Sequence, residues 1–131
     1  MQQVRINPWK WQDQYGFSQA IELSNARRLL FCAGQIALDA EGNVMCAGDM
    51  RGQIEAAMNN LETVLASAGL SLVHVVRLNF YTTEVDSLIA HYDALKSRLA
   101  AAGCQPSSTL LGVKRLAFPE LLIEIEATAA E

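Results

Sequence analysis

The chain has 131 residues, of which 51% are hydrophobic and 18% are charged, and its formal net charge is −4. This length predicts a single domain over residues 1–131, and the acidic balance with scattered Lys and Arg side chains argues against a nucleic-acid partner. Because no apolar run approaches the roughly 18 residues of a membrane span, and no apolar signal segment follows the start, we expect a cytoplasmic protein without membrane attachment.

The N-terminal part of the chain predicts β-structure that follows an aromatic segment. Two strands are expected at residues 17–23 and 29–38, separated by the turn-forming pair Ser24-Asn25, and a further short strand is considered at residues 44–46. Ahead of them stand four aromatic side chains, at Trp9, Trp11, Tyr15 and Phe17. These aromatic residues either anchor the segment on the sheet or line a ligand pocket.

Two amphipathic helices are predicted in the middle of the chain, each from apolar residues spaced four, three, four and three apart. The first is expected at residues 50–68, with Asp49 as its N-cap and Gly69 just after its end. The second should begin at a cap formed by Asp86 and end before Gly103. The two apolar stripes are Ile54, Met58, Leu61, Leu65 and Ala68, and Leu88, Tyr92, Leu95, Leu99 and Ala102.

Three further strands are predicted at residues 73–83, 107–113 and 121–129, which gives an α+β fold with two helices on one face of a single sheet. The helix-free face of this sheet would mix polar and apolar side chains, because Leu122 alternates with Glu124 and Glu126. Such a face suits a partly buried subunit interface, where small-molecule sites often form. Together with the high apolar content, it predicts an oligomer.

The sequence shows no metal-binding spacing and no nucleophile or phosphate-binding motif. His74 and His91 have no Cys or carboxylate at ligand spacing, so solvated side chains are the simpler interpretation of both. The three cysteines, an odd number without paired spacing, indicate reduced thiols. Glu124 belongs to an otherwise apolar strand. It is either a solvated side chain or a carboxylate in a cleft, where burial would make it a usable acid or base.

Four segments together resemble the Rid/YjgF family, also called the endoribonuclease L-PSP family: 17–20 (FSQA), 33–36 (AGQI), 75–83 (VVRLNFYTT) and 122–127 (LIEIEA). The similarity runs from about residue 15 to 129. It implies a chorismate-mutase-like fold, and a homotrimer whose sheets form a central β-barrel with clefts between subunits. Active members of the family hydrolyse enamines and imines such as 2-aminoacrylate without metal or cofactor. In them an arginine clamps the substrate carboxylate and a glutamate positions water.

The resemblance assigns seven candidate site residues. The family glutamate corresponds to Glu124, and we expect it near Gly34 and Ser108 of one subunit. Gly34 corresponds to a conserved backbone site, and Ser108 stands where the family has its arginine. The other four positions are Leu110 for a cysteine, Phe17 for a tyrosine, Ala33 for a serine and His91 for an asparagine.

Losing the arginine removes a charge-assisted clamp of about 1.5–3 kcal/mol per hydrogen bond. We therefore expect a small, less anionic ligand, with no metal or cofactor, that is hydrolysed through Glu124. The alternative is a non-catalytic ligand-binding or chaperone-like member of the family. Endoribonuclease activity is less favoured, because the chain is acidic and lacks a basic patch.

Overall fold

A computed structural model describes residues 1–131. Its strands are β1 (Gln2–Ile6), β2 (Ala20–Ser24), β3 (Leu29–Phe31), β4 (Val75–Thr82), β5 (Ser107–Gly112) and β6 (Ile123–Ala130). Its α-helices are α1 (Met50–Ser67), α2 (Val85–Ala90) and α3 (Tyr92–Ala101), and two short 3₁₀ helices span Trp11–Tyr15 and Leu72–His74. No helix is both long enough and apolar enough to cross a membrane.

The main sheet has four strands in the order β3–β6–β4–β5. β6 runs antiparallel to both its neighbours, whereas β4 and β5 are parallel because the chain crosses between them through α2 and α3. Helix residues pack on one face of this sheet, against Leu78, Phe80 and Ile125, which are buried. The α+β fold with helices on one face, predicted from the sequence, is confirmed.

Helix α1 begins and ends as its sequence predicts. The Asp49 side chain accepts a hydrogen bond from the Gly52 backbone N–H at 3.0 Å, which satisfies one of the free donors of the first turn. Gly69, just beyond the helix, has a φ of +75°, a conformation that costs glycine little. The predicted stripe is buried: Ile54, Met58, Leu61 and Leu65 have no exposed surface.

The second predicted helix is interrupted at His91, which separates α2 from α3 with φ −110° and ψ 13°. The His91 backbone N–H is shared between the carbonyls of Ser87 and Leu88 at 3.2 and 3.1 Å, as is common at helix ends. The apolar stripe runs on across the break, because Leu88 and Leu95 are both buried. Asp86 lies inside the first turn and Glu84 takes the N-cap position, so the predicted Asp86 cap is wrong.

The strands form two hydrogen-bonded sheets, since β1 and β2 pair only with each other. A single bridge from Ser18 to Ser107 connects this hairpin to the β5 edge. The predicted strand at residues 29–38 is regular only over β3. Beyond it the chain follows β6 through the Cys32 N–H bond to the Ala127 carbonyl and the isolated Gln35–Ile125 bridge, and Gly34 between them lies over the Glu124 side chain. The short strand considered at residues 44–46 reduces to one bridge between Leu38 and Val44.

The face of the main sheet away from the helices, called here the open face, mixes polar and apolar side chains as predicted. Phe31 is 75% exposed, and Leu29 and Leu111 are also exposed. Strand pairing places Tyr81 beside Glu124 and Asn79 beside Glu126 on the same face. The open face is therefore apolar at its edges and polar at its centre.

Candidate functional site

A cleft of about 440 Å³ opens between the 3₁₀ helix Trp11–Tyr15, the α2–α3 region and strand β5. Six of its seven lining residues are hydrophobic. They are Tyr15, Phe17, Phe80, Ile89, Tyr92 and Leu110, and the seventh is Ser108. We call this the aromatic cleft, because four of its residues carry aromatic rings and none carries a charge.

The aromatic wall of the cleft is anchored at its base by Gln12, whose side chain is completely buried. Gln12 Nε2 donates to the Trp9 carbonyl at 2.7 Å, and Gln12 Oε1 accepts from Gln19 at 3.4 Å. A turn follows at Gly16, whose φ is +74°. Buried polar side chains need such partners, so the conformation of this segment is defined by hydrogen bonds as well as by ring packing.

Hydrogen bonds from both sides hold the wall in place. The Ser18 hydroxyl donates to the Gln105 carbonyl at 2.7 Å, and the Ser18 backbone N–H donates to the Pro106 carbonyl at 2.9 Å. On the helix side, the Tyr92 hydroxyl donates to the Tyr15 carbonyl at 3.2 Å. The wall is thus tied to the strand that carries Ser108 and to the helix that carries Tyr92.

Glu124 lies on the open face, half-buried and directly over Gly34. A methyl group at position 34 would come within 2.6 Å of Glu124 Cδ, so only glycine leaves room for the carboxylate there. Burial raises the pKa of the Glu124 carboxyl, and the negative charge of Glu126 raises it further. A carboxyl with a raised pKa can exchange protons closer to neutral pH.

Glu126 is held by two hydrogen-bond donors on β4. Its Oε1 accepts from the Tyr81 hydroxyl at 3.0 Å and from Asn79 Nδ2 at 3.2 Å. The bond to Glu126 raises the pKa of Tyr81, because losing that proton would place two negative charges together. Asn79 Oδ1 is buried and has no hydrogen-bond partner within the protomer.

Five of the seven predicted site residues fall into two groups. Phe17, Ser108 and Leu110 line the aromatic cleft, while Gly34 and Glu124 meet on the open face. The expectation that Glu124 lies near Ser108 in one subunit is wrong within a single protomer. Ser108 pairs with Leu78, whose side chain points to the helices, whereas Glu124 pairs with Tyr81 on the open face.

Two predicted residues stay outside both groups. Ala33 is exposed next to Gly34, and its carbonyl accepts a hydrogen bond from the Gln35 side chain at 3.1 Å. His91 is half-buried at the break between α2 and α3, where its Nδ1 donates to the Ser87 carbonyl at 2.8 Å. His91 does not line the cleft, although its near neighbours Ile89 and Tyr92 do.

Sequence reasoning missed three lining residues, Phe80, Ile89 and Tyr92. Phe80 and Tyr92 fit the apolar patterns of a strand and a helix, and those patterns predict a core position. Tyr92 does pack on Phe80, with ring centroids 6.3 Å apart. Its phenolic hydroxyl was the available signal, because a tyrosine in a core stripe needs a polar partner.

A second cavity of about 520 Å³ lies beside Gly34, between the segment 34–40 and helix α1. Asn60 Nδ2 spans this boundary by donating to the carbonyls of Ile36 and Leu38 at 2.8 and 2.9 Å. Asn60 therefore fixes the segment that carries Gly34 over the Glu124 carboxylate. No three His, Cys, Asp or Glu side chains lie close enough together to hold a metal ion.

Comparisons with known proteins extend over nearly the whole chain. The sequence model of a family described as endoribonuclease L-PSP matches residues 12–131. YyfB from Yersinia pestis, a solved structure described as a Rid family protein of unknown function, is 37% identical, with a TM-score of 0.86 and full coverage of both chains. Protein mmf2, a mitochondrial protein of Schizosaccharomyces pombe, is 31% identical over 131 residues, 100% of both chains.

A more distant relative carries the name of an enzyme. The 2-iminobutanoate/2-iminopropanoate deaminase of Dermatophagoides farinae is 25% identical over 100 residues, which is 76% of this chain and 74% of that protein.

Proposed function

The chain belongs to the Rid/YjgF family, whose sequence model is described as endoribonuclease L-PSP, and from this premise we propose that it hydrolyses an imine or enamine carrying little negative charge. The observation that carries the proposal is the Glu124 carboxyl, seated over Gly34 with its pKa raised by burial. The deaminase of Dermatophagoides farinae supports the reaction class by its similarity.

In the proposed reaction, a water molecule adds to the carbon of the C=N bond. Glu124 accepts a proton from this water and returns it to the nitrogen, which gives a carbinolamine. The hydroxyl proton of the carbinolamine then passes to the nitrogen, again through Glu124, as the C–N bond breaks. The products are a carbonyl compound and ammonia, and no oxidant, metal or organic cofactor is consumed.

The proposed site is shared between two protomers of a homotrimer. Ser108 and Glu124 lie on opposite sides of the sheet, so the aromatic cleft of one protomer would meet the open face of its neighbour. Two features of the open face support this arrangement: the exposed Phe31 and Leu111 side chains, and the buried Asn79 oxygen that lacks a partner.

The low negative charge of the substrate is argued from the cleft lining. Ser108 stands where the family has an arginine, and none of the seven residues that line the cleft is basic. A carboxylate that entered this cleft would lose water without gaining a counter-charge, which is unfavourable.

The test is ammonia release from imines generated enzymatically in situ, compared for wild type and Glu124→Gln. We expect Glu124→Gln to lower the rate by about 100-fold or more, the usual contribution of a general base. Glu120→Gln is the matched control, because Glu120 is an exposed carboxylate outside both site groups. An unchanged rate in Glu124→Gln would contradict the role given to this residue.

The alternative is a non-catalytic ligand-binding protein, and Ser108 in place of the arginine is the observation that favours it. It predicts that ligands bind while no imine is hydrolysed faster than in buffer. Endoribonuclease activity remains less favoured for a chain with net charge −4. We also propose a cytoplasmic location, which cell fractionation would test.

A further inference from the structure

We propose that the aromatic cleft selects ligands that carry a planar, uncharged aromatic group. This inference deepens the proposed function by naming a substrate class. Only the hydrolysis of such ligands rests on the proposed function, because the selectivity of binding is inferred from the residues that line the cleft.

The ring geometry of the cleft suits a planar guest. Four rings, those of Tyr15, Phe17, Phe80 and Tyr92, contribute to the lining. Phe80 and Tyr92 meet edge to face with an interplanar angle of 78°. Aromatic pairs in such arrangements gain energy beyond the burial of apolar area, so a ring in the cleft has several faces and edges to pack against.

The outer wall continues this aromatic surface toward the solvent. Trp11 packs edge to face on Phe17 with centroids 5.8 Å apart, and on Tyr15 at 6.5 Å. Because the segment is tied down through buried Gln12 and through Ser18, this wall exists before a ligand binds. A preformed wall reduces the entropy lost on binding and favours rigid ligands that match its shape.

The volume of the cleft and the polar groups in its lining narrow the class of ligands further. A cleft of about 440 Å³ holds one or two rings with a short substituent. The polar groups in its lining are the hydroxyls of Ser108, Tyr15 and Tyr92, and those of Ser108 and Tyr15 are free to donate, because the Tyr92 hydroxyl donates to the Tyr15 carbonyl. Hydroxyls can hydrogen-bond a neutral C=N or C=O group, but they do not replace a counter-charge for an anion.

The experiment compares three ligands of similar size by calorimetry on the full chain: phenylacetamide, cyclohexylacetamide and phenylacetate. We expect phenylacetamide to bind about 3- to 10-fold more tightly than cyclohexylacetamide, which lacks the planar ring. Phenylacetate should bind at least about 10-fold more weakly than phenylacetamide, because its charge is unpaired in the cleft.

Substitutions in the wall test whether its rings cause the preference for phenylacetamide over cyclohexylacetamide. Phe17→Leu keeps an apolar side chain but removes a ring, and it should reduce the phenylacetamide preference to about 2-fold or less. Trp9→Leu is the matched control, since Trp9 is 58% exposed and does not line the cleft. Lys96→Gln should also leave phenylacetamide binding unchanged, although the Lys96 stem lies near Gly16.

Equal affinity for phenylacetamide and cyclohexylacetamide would overturn the aromatic selectivity, and phenylacetate binding as tightly as phenylacetamide would overturn the preference for uncharged ligands. If none of the three ligands binds, the proposal that the aromatic cleft is a ligand site would be contradicted.

A parallel assay separates this inference from the proposed function. It follows hydrolysis of phenylmethanimine and cyclohexylmethanimine, each formed from its amine by an amine oxidase, to the aldehyde and ammonia. Ring-selective binding without hydrolysis would support this inference and contradict the proposed function. Hydrolysis of both imines at equal rates, with no ring preference in binding, would support the proposed function and contradict this inference.

Discussion

At position 108 a single side chain sets the charge of the cleft. Ser108→Arg should place a guanidinium among the lining residues, where it can clamp a carboxylate with two hydrogen bonds. We expect ammonia release from 2-aminoacrylate to rise by about tenfold. The rescue should be partial, because Phe17 and Leu110 still leave the cleft short of polar groups. Gln105→Arg, an exposed change just before the strand, is the control and should have no effect.

At position 34, the absence of a Cβ atom leaves room for the Glu124 carboxylate. Gly34→Ala would bring a Cβ within 2.6 Å of Glu124 Cδ and 2.7 Å of Oε2. Because the Glu124 side chain can rotate away, we expect little change in the melting temperature but a large loss of hydrolysis. In the Glu124→Ala background, adding Gly34→Ala should change neither quantity further. A Gly34→Ala protein with full activity would show that the carboxylate position is unimportant.

The raised pKa of Glu124 predicts how stability depends on pH. A carboxyl whose pKa is higher in the folded state than its ordinary 4.5 holds its proton more tightly when folded. Its favourable contribution is complete below pH 4.5 and is lost as the pH rises through the folded pKa. The melting temperature of wild type should therefore fall relative to Glu124→Gln as the pH rises above 4.5. A difference that stays constant across this range would argue against a raised pKa.

At the scale of elements, the Asp49 cap explains where α1 begins. Asp49→Ala removes the acceptor for the Gly52 N–H and should lower the free energy of unfolding by about 1 kcal/mol. Asp49→Asn keeps an oxygen acceptor and should cost much less. Urea denaturation of the three proteins measures both values, and equal stability of wild type and Asp49→Ala would mean that the cap contributes nothing.

Elements defined by local chemistry could be predicted from the sequence, and those shaped by tertiary contact could not. The cap, the apolar stripe and the terminal glycine of α1 are all local signals. The chain after β3 contacts Glu124, about 90 residues further on, and no local pattern reveals this contact. Strand β1 was missed because its side chains are mostly exposed, so it lacks a clear alternation of buried and exposed residues.

The candidate site was predictable to a similar degree. Family resemblance selected Phe17, Ser108 and Leu110, which share the aromatic cleft, and Gly34 with Glu124, which share the open face. It did not show that these two groups lie on opposite sides of the sheet. That separation follows from strand register, because a side chain changes face with each residue along a strand.

At the scale of the whole molecule, the open face predicts self-association. Light scattering on a sizing column should give about three times 14.3 kDa. Phe31→Glu should shift the protein toward the monomer, because it places a charge on an exposed apolar part of that face. Val73→Glu is the control, since Val73 is also an exposed apolar residue but belongs to the short 3₁₀ helix that precedes β4. A monomeric wild type would contradict both the trimer and the shared site.

The separate pairing of the β1–β2 hairpin has a consequence for local unfolding. Its strands pair only with each other, and the β-bridge to the main sheet, Ser18–Ser107, lies just before β2. The residues between its strands include Tyr15 and Phe17, which form the wall of the cleft. Segments with few buried contacts open locally at a lower free energy than the core. We therefore expect the amide hydrogens of β1 and β2 to exchange with solvent faster than those of β4 and β6, while the wall, which has its own hydrogen bonds to the residues just before β5 and to α3, keeps its shape.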